Sequence, residues 1–127
     1  MLACDLDPLA ATAQSLNATL NNVTFEFFTG DALGSATAEF DVILAGDVCY
    51  EREASAWITA WLQNAAGSGS QVLLADPGRH YAPSDGLELL VTYEVPTLHE
   101  LESAPSKRTR LFNLGIASSA GQRSRTK

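Results

Sequence analysis

The sequence predicts an α/β domain built on a mostly parallel sheet that ends in an antiparallel strand pair. Three observations carry that expectation. A β-rich segment, a helical segment and a second β-rich segment follow one another in residues 1–29, the order of a right-handed crossover unit. The run Val42-Ile43-Leu44-Ala45 shows no alternation of apolar and polar side chains, which marks a central strand covered on both faces. Residues 91–95 and 109–114, joined by a polar connection containing Pro96 and Pro105, have the composition of a terminal antiparallel pair.

Residues 1–4 form a short apolar strand that ends in Asp5-Leu6-Asp7-Pro8. A helix follows, because Leu9, Ala13, Leu16 and Leu20 recur at helical spacing, Asp7 is a favourable cap and Pro8 suits the first helical position. Asn21-Asn22 supplies its stop. Residues 23–28 are rich in β-branched and aromatic side chains, hence a strand, with Thr29-Gly30-Asp31 as its turn. Beyond the loop 32–39 comes the central strand, which ends at Gly46 and presents Asp47 and Tyr50. Residues 51–66 are expected to be helical with Ala54, Trp57, Ile58, Trp61 and Leu62 on one face, and Gly67-Ser68-Gly69-Ser70 breaks the helix. A buried strand at 71–75 is closed by Asp76-Pro77-Gly78-Arg79, and residues 84–90 read as one more short helix. No internal repeat or heptad run interrupts a single domain over residues 1–116. Residues 117–127 are small, polar and basic, the composition of a disordered tail.

With 127 residues, the chain is long enough for a core and short for a complete nucleotide-binding sheet. It has no apolar run of the roughly 20 residues that a membrane span needs, and residues 1–4 lack the regions of a secretion signal, so the expected compartment is the cytoplasm. Cys4 and Cys49 have no metal-like spacing and read as two reduced, packed thiols. All fifteen acids lie at or before Glu102, while six of the eight basic residues lie from Lys107 onward. An acidic body repels phosphate backbones, which argues against nucleic acid and for a cationic partner such as a lysine on another protein.

In open α/β sheets the ligand crevice lies beyond the carboxyl ends of the strands, which places Gly46, Asp47 and Tyr50 at its mouth. Asp5, Asp31 and Asp47 then stand at three successive strand ends. Two such carboxylates suit a nucleoside, one accepting both ribose hydroxyls and one the adenine amino group. Plainer roles stand beside these: Asp5 or Asp7 as a helix cap, Asp31 as a turn residue, Asp47 as the cap of the helix near Glu51, Tyr50 as core and Arg79 as a solvated charge.

The segments MLACDLDP, FTGDAL, FDVILAGDVCY and VLLADPGRHY resemble the second to fifth strands of class I S-adenosylmethionine-dependent methyltransferases, a match that runs to about Leu114. Asp47-Val48-Cys49-Tyr50 resembles the D-x-x-Y motif of the protein lysine methyltransferases. The set GDVCYE, ADPGR and YEVPT is similar to the electron-transfer-flavoprotein β-subunit lysine methyltransferases. The resemblance implies an incomplete Rossmann-like methyltransferase sheet that uses S-adenosyl-L-methionine and no metal. It makes Asp5 the ribose carboxylate and Leu6 a wall of the adenine pocket, with Asp31 and Ala32 at the adenine edge. It sets Asp47 and Tyr50 at the methyl acceptor, helped by carbonyls near Gly46. The glycine-rich G-x-G-x-G loop, with the first strand and helix around it, would lie before Met1. The resemblance therefore implies an N-terminally truncated sheet whose open ladder makes self-association possible.

Two other classes compete. Asp5-Leu6-Asp7 after an apolar strand also resembles the D-x-D opening of haloacid-dehalogenase-type, magnesium-dependent phosphatases, with Asp5 attacking phosphorus and Asp7 as acid. Against it, Pro8 and Leu9 replace the usual Gly-Thr, and no lysine precedes Lys107. The third reading is a non-catalytic α/β remnant that pairs with another chain through its sheet.

Overall fold

The computed structural model describes residues 1–31, 40–98 and 105–116, in two compact units, Met1–Ala36 and Thr37–Lys127. Ala32, the loop 32–39 and the basic tail 117–127 lie outside the described residues.

The first unit is the expected crossover. Strand β1 (Leu2–Asp5) leads into helix α1 (Pro8–Asn21), and strand β2 (Glu26–Thr29) returns parallel to β1, with Leu2 opposite Glu26 and Asp5 opposite Thr29. The ends of α1 follow local chemistry. The Asp7 carboxylate accepts the Leu9 N–H at 2.9 Å, Pro8 opens the helix, and Asn22 takes a left-handed conformation at φ 52° that closes it. The predicted leucine face is not a buried face: Leu9, Leu16 and Leu20 are exposed, and the half-buried positions are Ala10, Ala11, Gln14 and Ala18. Two four-residue strands offer too little surface to cover a leucine stripe. Strand β2 is also shorter than residues 23–28 suggest, since Val23, Thr24 and Phe25 fall outside its ladder.

The second unit holds strand β3 (Val42–Gly46), helix α2 (Arg52–Gly67) and strands β4 (Gln71–Asp76), β5 (Leu87–Pro96) and β6 (Ser106–Leu114), in the sheet order β3-β4-β6-β5. Strands β3 and β4 are parallel, while β6 runs antiparallel to both β4 and β5. The expected terminal pair is present and longer than its sequence pattern suggests. The helix predicted over residues 84–90 does not form, because 87–90 belong to β5. Gly86 sits at φ +73°, where a Cβ would come within 2.9 Å of the Gly115 carbonyl oxygen, and Gly115 donates its N–H to the Gly86 carbonyl at 2.8 Å. This close approach continues the pairing of β5 with β6 past the start of β5 and the end of β6.

Strand β3 corrects a second expectation. Among the described residues it is an edge strand paired with β4 alone, with Ile43 and Ala45 against the core and Val42 and Leu44 exposed. An unalternating run permits cover on both faces, but helix α2 lies over one. The core is Leu62 and Ala65 of α2, Val72 of β4 and Leu114 of β6, ringed by Ile43, Ala45, Ile58, Trp61, Ala66 and Leu87. The inward stripe of α2 accordingly runs Ser55-Ile58-Leu62-Ala65, and Trp57, predicted on that face, is 70% exposed. Among the described residues neither cysteine forms a disulfide, as expected. Cys49 is buried, but Cys4 is exposed rather than packed, its Sγ donating to the Gly30 carbonyl at 3.3 Å.

Candidate functional site

Strand β3 ends at Gly46, and the backbone turns sharply at Asp47, whose φ of +51° lies in the left-handed region that a non-glycine residue seldom occupies. The turn is held by the Asp47 N–H, which donates to the Ala75 carbonyl of β4 at 2.9 Å. The carboxylate does not cap α2. The residue before that helix, Glu51, is its N-cap and makes no side-chain capping bond, and the Asp47 carboxylate instead receives a two-pronged contact from Arg79. Nε reaches Oδ1 at 2.6 Å and an Nη reaches Oδ2 at 2.7 Å, the fork geometry that guanidinium and carboxylate share.

Arg79 is itself positioned by a buried acid. Asp76, at the end of β4, is 1% exposed, and its Oδ2 accepts the N–H groups of Gly78 at 2.7 Å and Arg79 at 3.0 Å. Gly78, at φ +98°, makes the turn that brings Arg79 back over the strand ends. Among the described residues, Asp76 Oδ1 is buried without a hydrogen-bond partner. The Arg79 hydrogen bonds hold the Asp47 acid below the usual carboxylate range against the opposing effect of burial, with the charges of Arg79 and Lys107 adding to the lowering. Burial, and then the charges of Asp76 and Asp47, push the Cys49 thiol up. Cys49 therefore anchors the segment while Asp47 and Tyr50 on either side face outward. Tyr50 is 67% exposed, so it is not a core residue.

Gly46, Asp47, Ala75, Pro77, Lys107 and Thr109 line a shallow cleft of about 270 Å³ at this end of the sheet. A Cβ built on Gly46 would meet no protein atom within 4 Å. No packing among the described residues requires the glycine there.

Asp5, Leu6 and Asp31 lie in the first unit. Asp5 Oδ1 accepts the Asp7 N–H at 2.9 Å, which fixes the carboxylate at the end of β1. Gly30 donates its N–H to the Asp5 carbonyl at 3.0 Å, so Asp31, one residue later, leaves β2 at the same end as Asp5. Only glycine suits position 30, where φ is +154° and a Cβ would lie 2.8 Å from the Phe28 ring. Leu6 is 71% exposed beside them. Asp5 and Asp31 are thus brought together in one unit, and Gly46, Asp47 and Tyr50 in the other. Asp7 is engaged as the cap of α1, which counts against its service as a phosphatase acid.

Sequence reasoning missed Arg79, Asp76 and Lys107. Asp76-Pro77-Gly78 carries a turn signal that assigns the Asp76 carboxylate to the backbone two residues on. Nothing local could pair Arg79 with Asp47, which lies 32 positions away.

No family model matches the chain. It is similar to the electron transfer flavoprotein beta subunit lysine methyltransferases of curated collections. The Danio rerio protein is 40% identical over 81 residues, which cover 62% of this chain and 31% of that protein. The Rattus norvegicus protein is 38% identical over 81 residues, 62% of this chain and 32% of that one, and the Homo sapiens protein is 31% identical over the same length, 62% and 31%. The chain spans about a third of the length of these relatives. Among solved structures, magnesium protoporphyrin IX methyltransferase from Synechocystis PCC 6803, with bound SAM, superposes with a TM-score of 0.52 at 17% identity, covering 88% of this chain and 58% of that one. At that identity the likeness speaks for the fold, which is part of a Rossmann-like methyltransferase fold.

Proposed function

We propose that the protein carrying these residues transfers a methyl group from S-adenosylmethionine to a lysine side chain of a protein. The observation that carries the reading is Asp47: an ionised carboxylate, clamped by Arg79, at the lip of a cleft beyond the carboxyl end of a parallel strand and three residues before an exposed tyrosine. Likeness to proteins named lysine methyltransferases supports the same chemistry.

The residues present fit the cofactor. Within the first unit, Asp5 and Asp31 offer exposed carboxylates at neighbouring strand ends, as ribose and adenine groups require. Asp5 and Leu6 would hold the ribose and one adenine face, Asp31 the adenine edge with Ala32, and the Gly46 carbonyl the acceptor side. When bound, the cofactor supplies an electrophilic methyl group on a sulfonium. Asp47 draws the substrate ammonium to the cleft and orients it. Once the ammonium has given up a proton to solvent, the Asp47 carboxylate would steady the positive charge that returns to nitrogen as the methyl–nitrogen bond forms and the methyl–sulfur bond breaks, the sulfonium leaving as a neutral thioether. The exposed Tyr50 ring offers a face to that cationic centre. Excluding water from the amine matters as much, since a solvated ammonium has no lone pair to donate.

Residues 1–116 form a partial methyltransferase domain in this reading. The partner is a protein presenting a lysine rather than nucleic acid or membrane, in the cytoplasm, and self-association would use the open β3 edge. Among the described residues, no helix is long and apolar enough to cross a membrane. The test is transfer of labelled methyl to a lysine peptide. Asp47→Ala is expected to lower transfer by about 100-fold or more with cofactor affinity unchanged. Parallel loss of cofactor binding would make Asp47 a structural residue.

A further inference from the structure

We propose that Arg79 is the positioning residue of the acceptor cleft, holding the Asp47 carboxylate by one edge so that its remaining lone pairs face an incoming amine. The inference rests on the methyl-transfer reading for its substrate class, and on the geometry of the second unit for everything else.

Each carboxylate oxygen has two lone-pair directions. The guanidinium uses one on each oxygen, through Nε at 2.6 Å and Nη at 2.7 Å, and so fixes the plane of the carboxylate without exhausting it. The clamp is rigid because both of its ends are tied. Asp47 is held at φ +51° by its own N–H to Ala75, and the Arg79 N–H is held by the buried Asp76 carboxylate. Without the clamp, a carboxylate on an exposed turn would rotate freely and carry a more ordinary acidity. The cleft faces this pair with Lys107 and Thr109 from β6 and Ala75 and Pro77 from β4 and its turn. Lys107 is the other cation acting on Asp47, so an incoming ammonium meets a carboxylate already partly neutralised. A precisely aimed pair of lone pairs then matters more to binding than bare charge. A lysine at position 79 would supply the charge without the fork.

The experiment follows the Asp47 carboxyl carbon by NMR in the unsubstituted chain, Arg79→Gln and Arg79→Lys, first against pH and then against n-butylamine as the probe. In the unsubstituted chain the carboxyl titrates below the ordinary range, and saturating amine shifts its resonance. Arg79→Gln moves the titration upward and weakens amine binding by about 10- to 100-fold, and Arg79→Lys recovers the charge effect but not the amine affinity. Arg79 is 40% exposed at its side chain, so the fold is expected to survive either change, with circular dichroism as the check. Tighter amine binding in Arg79→Gln would make Arg79 a mask over Asp47 and overturn the proposal, as would full recovery by lysine or no response of Asp47 to the amine. If the amine reaches Asp47 as described while methyl transfer from the sulfonium donor fails, the methyl-transfer reading falls and the role of Arg79 stands.

Discussion

The two units of this chain are stabilised in different ways. Among the described residues of the first unit no side chain is buried, and its order comes from backbone ladders, an Asx turn and helix caps. The second unit holds every residue of the core and, with it, the strained turn at Asp47. Both units hold a left-handed non-glycine residue, but Asn22 closes α1 through backbone bonds alone, whereas Asp47 is fixed by its N–H to Ala75 and by the Arg79 fork on its side chain. The acid of the acceptor cleft therefore sits on the unit able to hold it, while the acids suited to a nucleoside sit on local hydrogen bonds.

The largest way to sharpen this contrast is Leu114→Ala, which should remove about 2–5 kcal/mol from unfolding of the second unit in denaturant, because Leu114 is 2% exposed in the core. A loss under about 1 kcal/mol would mean that the sheet and α2 do not share one core. Asp7→Ala comes next, with a cost of about 1 kcal/mol, read as faster amide exchange confined to α1. Unchanged exchange would show that the cap at 2.9 Å does not hold that helix.

A smaller effect concerns pH. The Asp47 acid is lowered in the folded protein, so the stability it contributes is present above the ordinary carboxylate range and is lost as pH falls through the lowered value. Arg79→Gln should remove that acid limb from a stability–pH curve, and an unchanged limb would assign it to other carboxylates. The smallest effect belongs to Leu16→Ala, within about 0.5 kcal/mol, because Leu16 is 62% exposed. A cost near that of Leu114→Ala would mean that the leucine face of α1 is covered in solution.

What could be read in advance divides along the same line. The ends of α1 were legible because Asp7-Pro8 and Asn22 act on backbone groups within a few residues. The crossover and the terminal antiparallel pair were legible from composition and order. The helix expected at 84–90 failed because Leu87, Leu89 and Leu90 suit either state, and the deciding partners, Leu114 and Phe112 of β6, are more than twenty positions away. Among the described residues β3 has a neighbour on one side alone, for a related reason: an unalternating run tells which faces a strand can bury, not which neighbours arrive. At the candidate site, the positions of Asp47 and Tyr50 followed from the strand end. The grip of Arg79 on Asp47 did not, since it depends on two strand ends meeting across the β3–β4 ladder.

The most direct test of the account is calorimetric titration with S-adenosylhomocysteine of the unsubstituted protein, Asp5→Ala and Asp47→Ala. The account predicts that Asp5→Ala weakens binding by about tenfold or more while Asp47→Ala leaves it unchanged, one acid serving the cofactor and the other the acceptor. Equal affinity in all three proteins, or loss confined to Asp47→Ala, would contradict it.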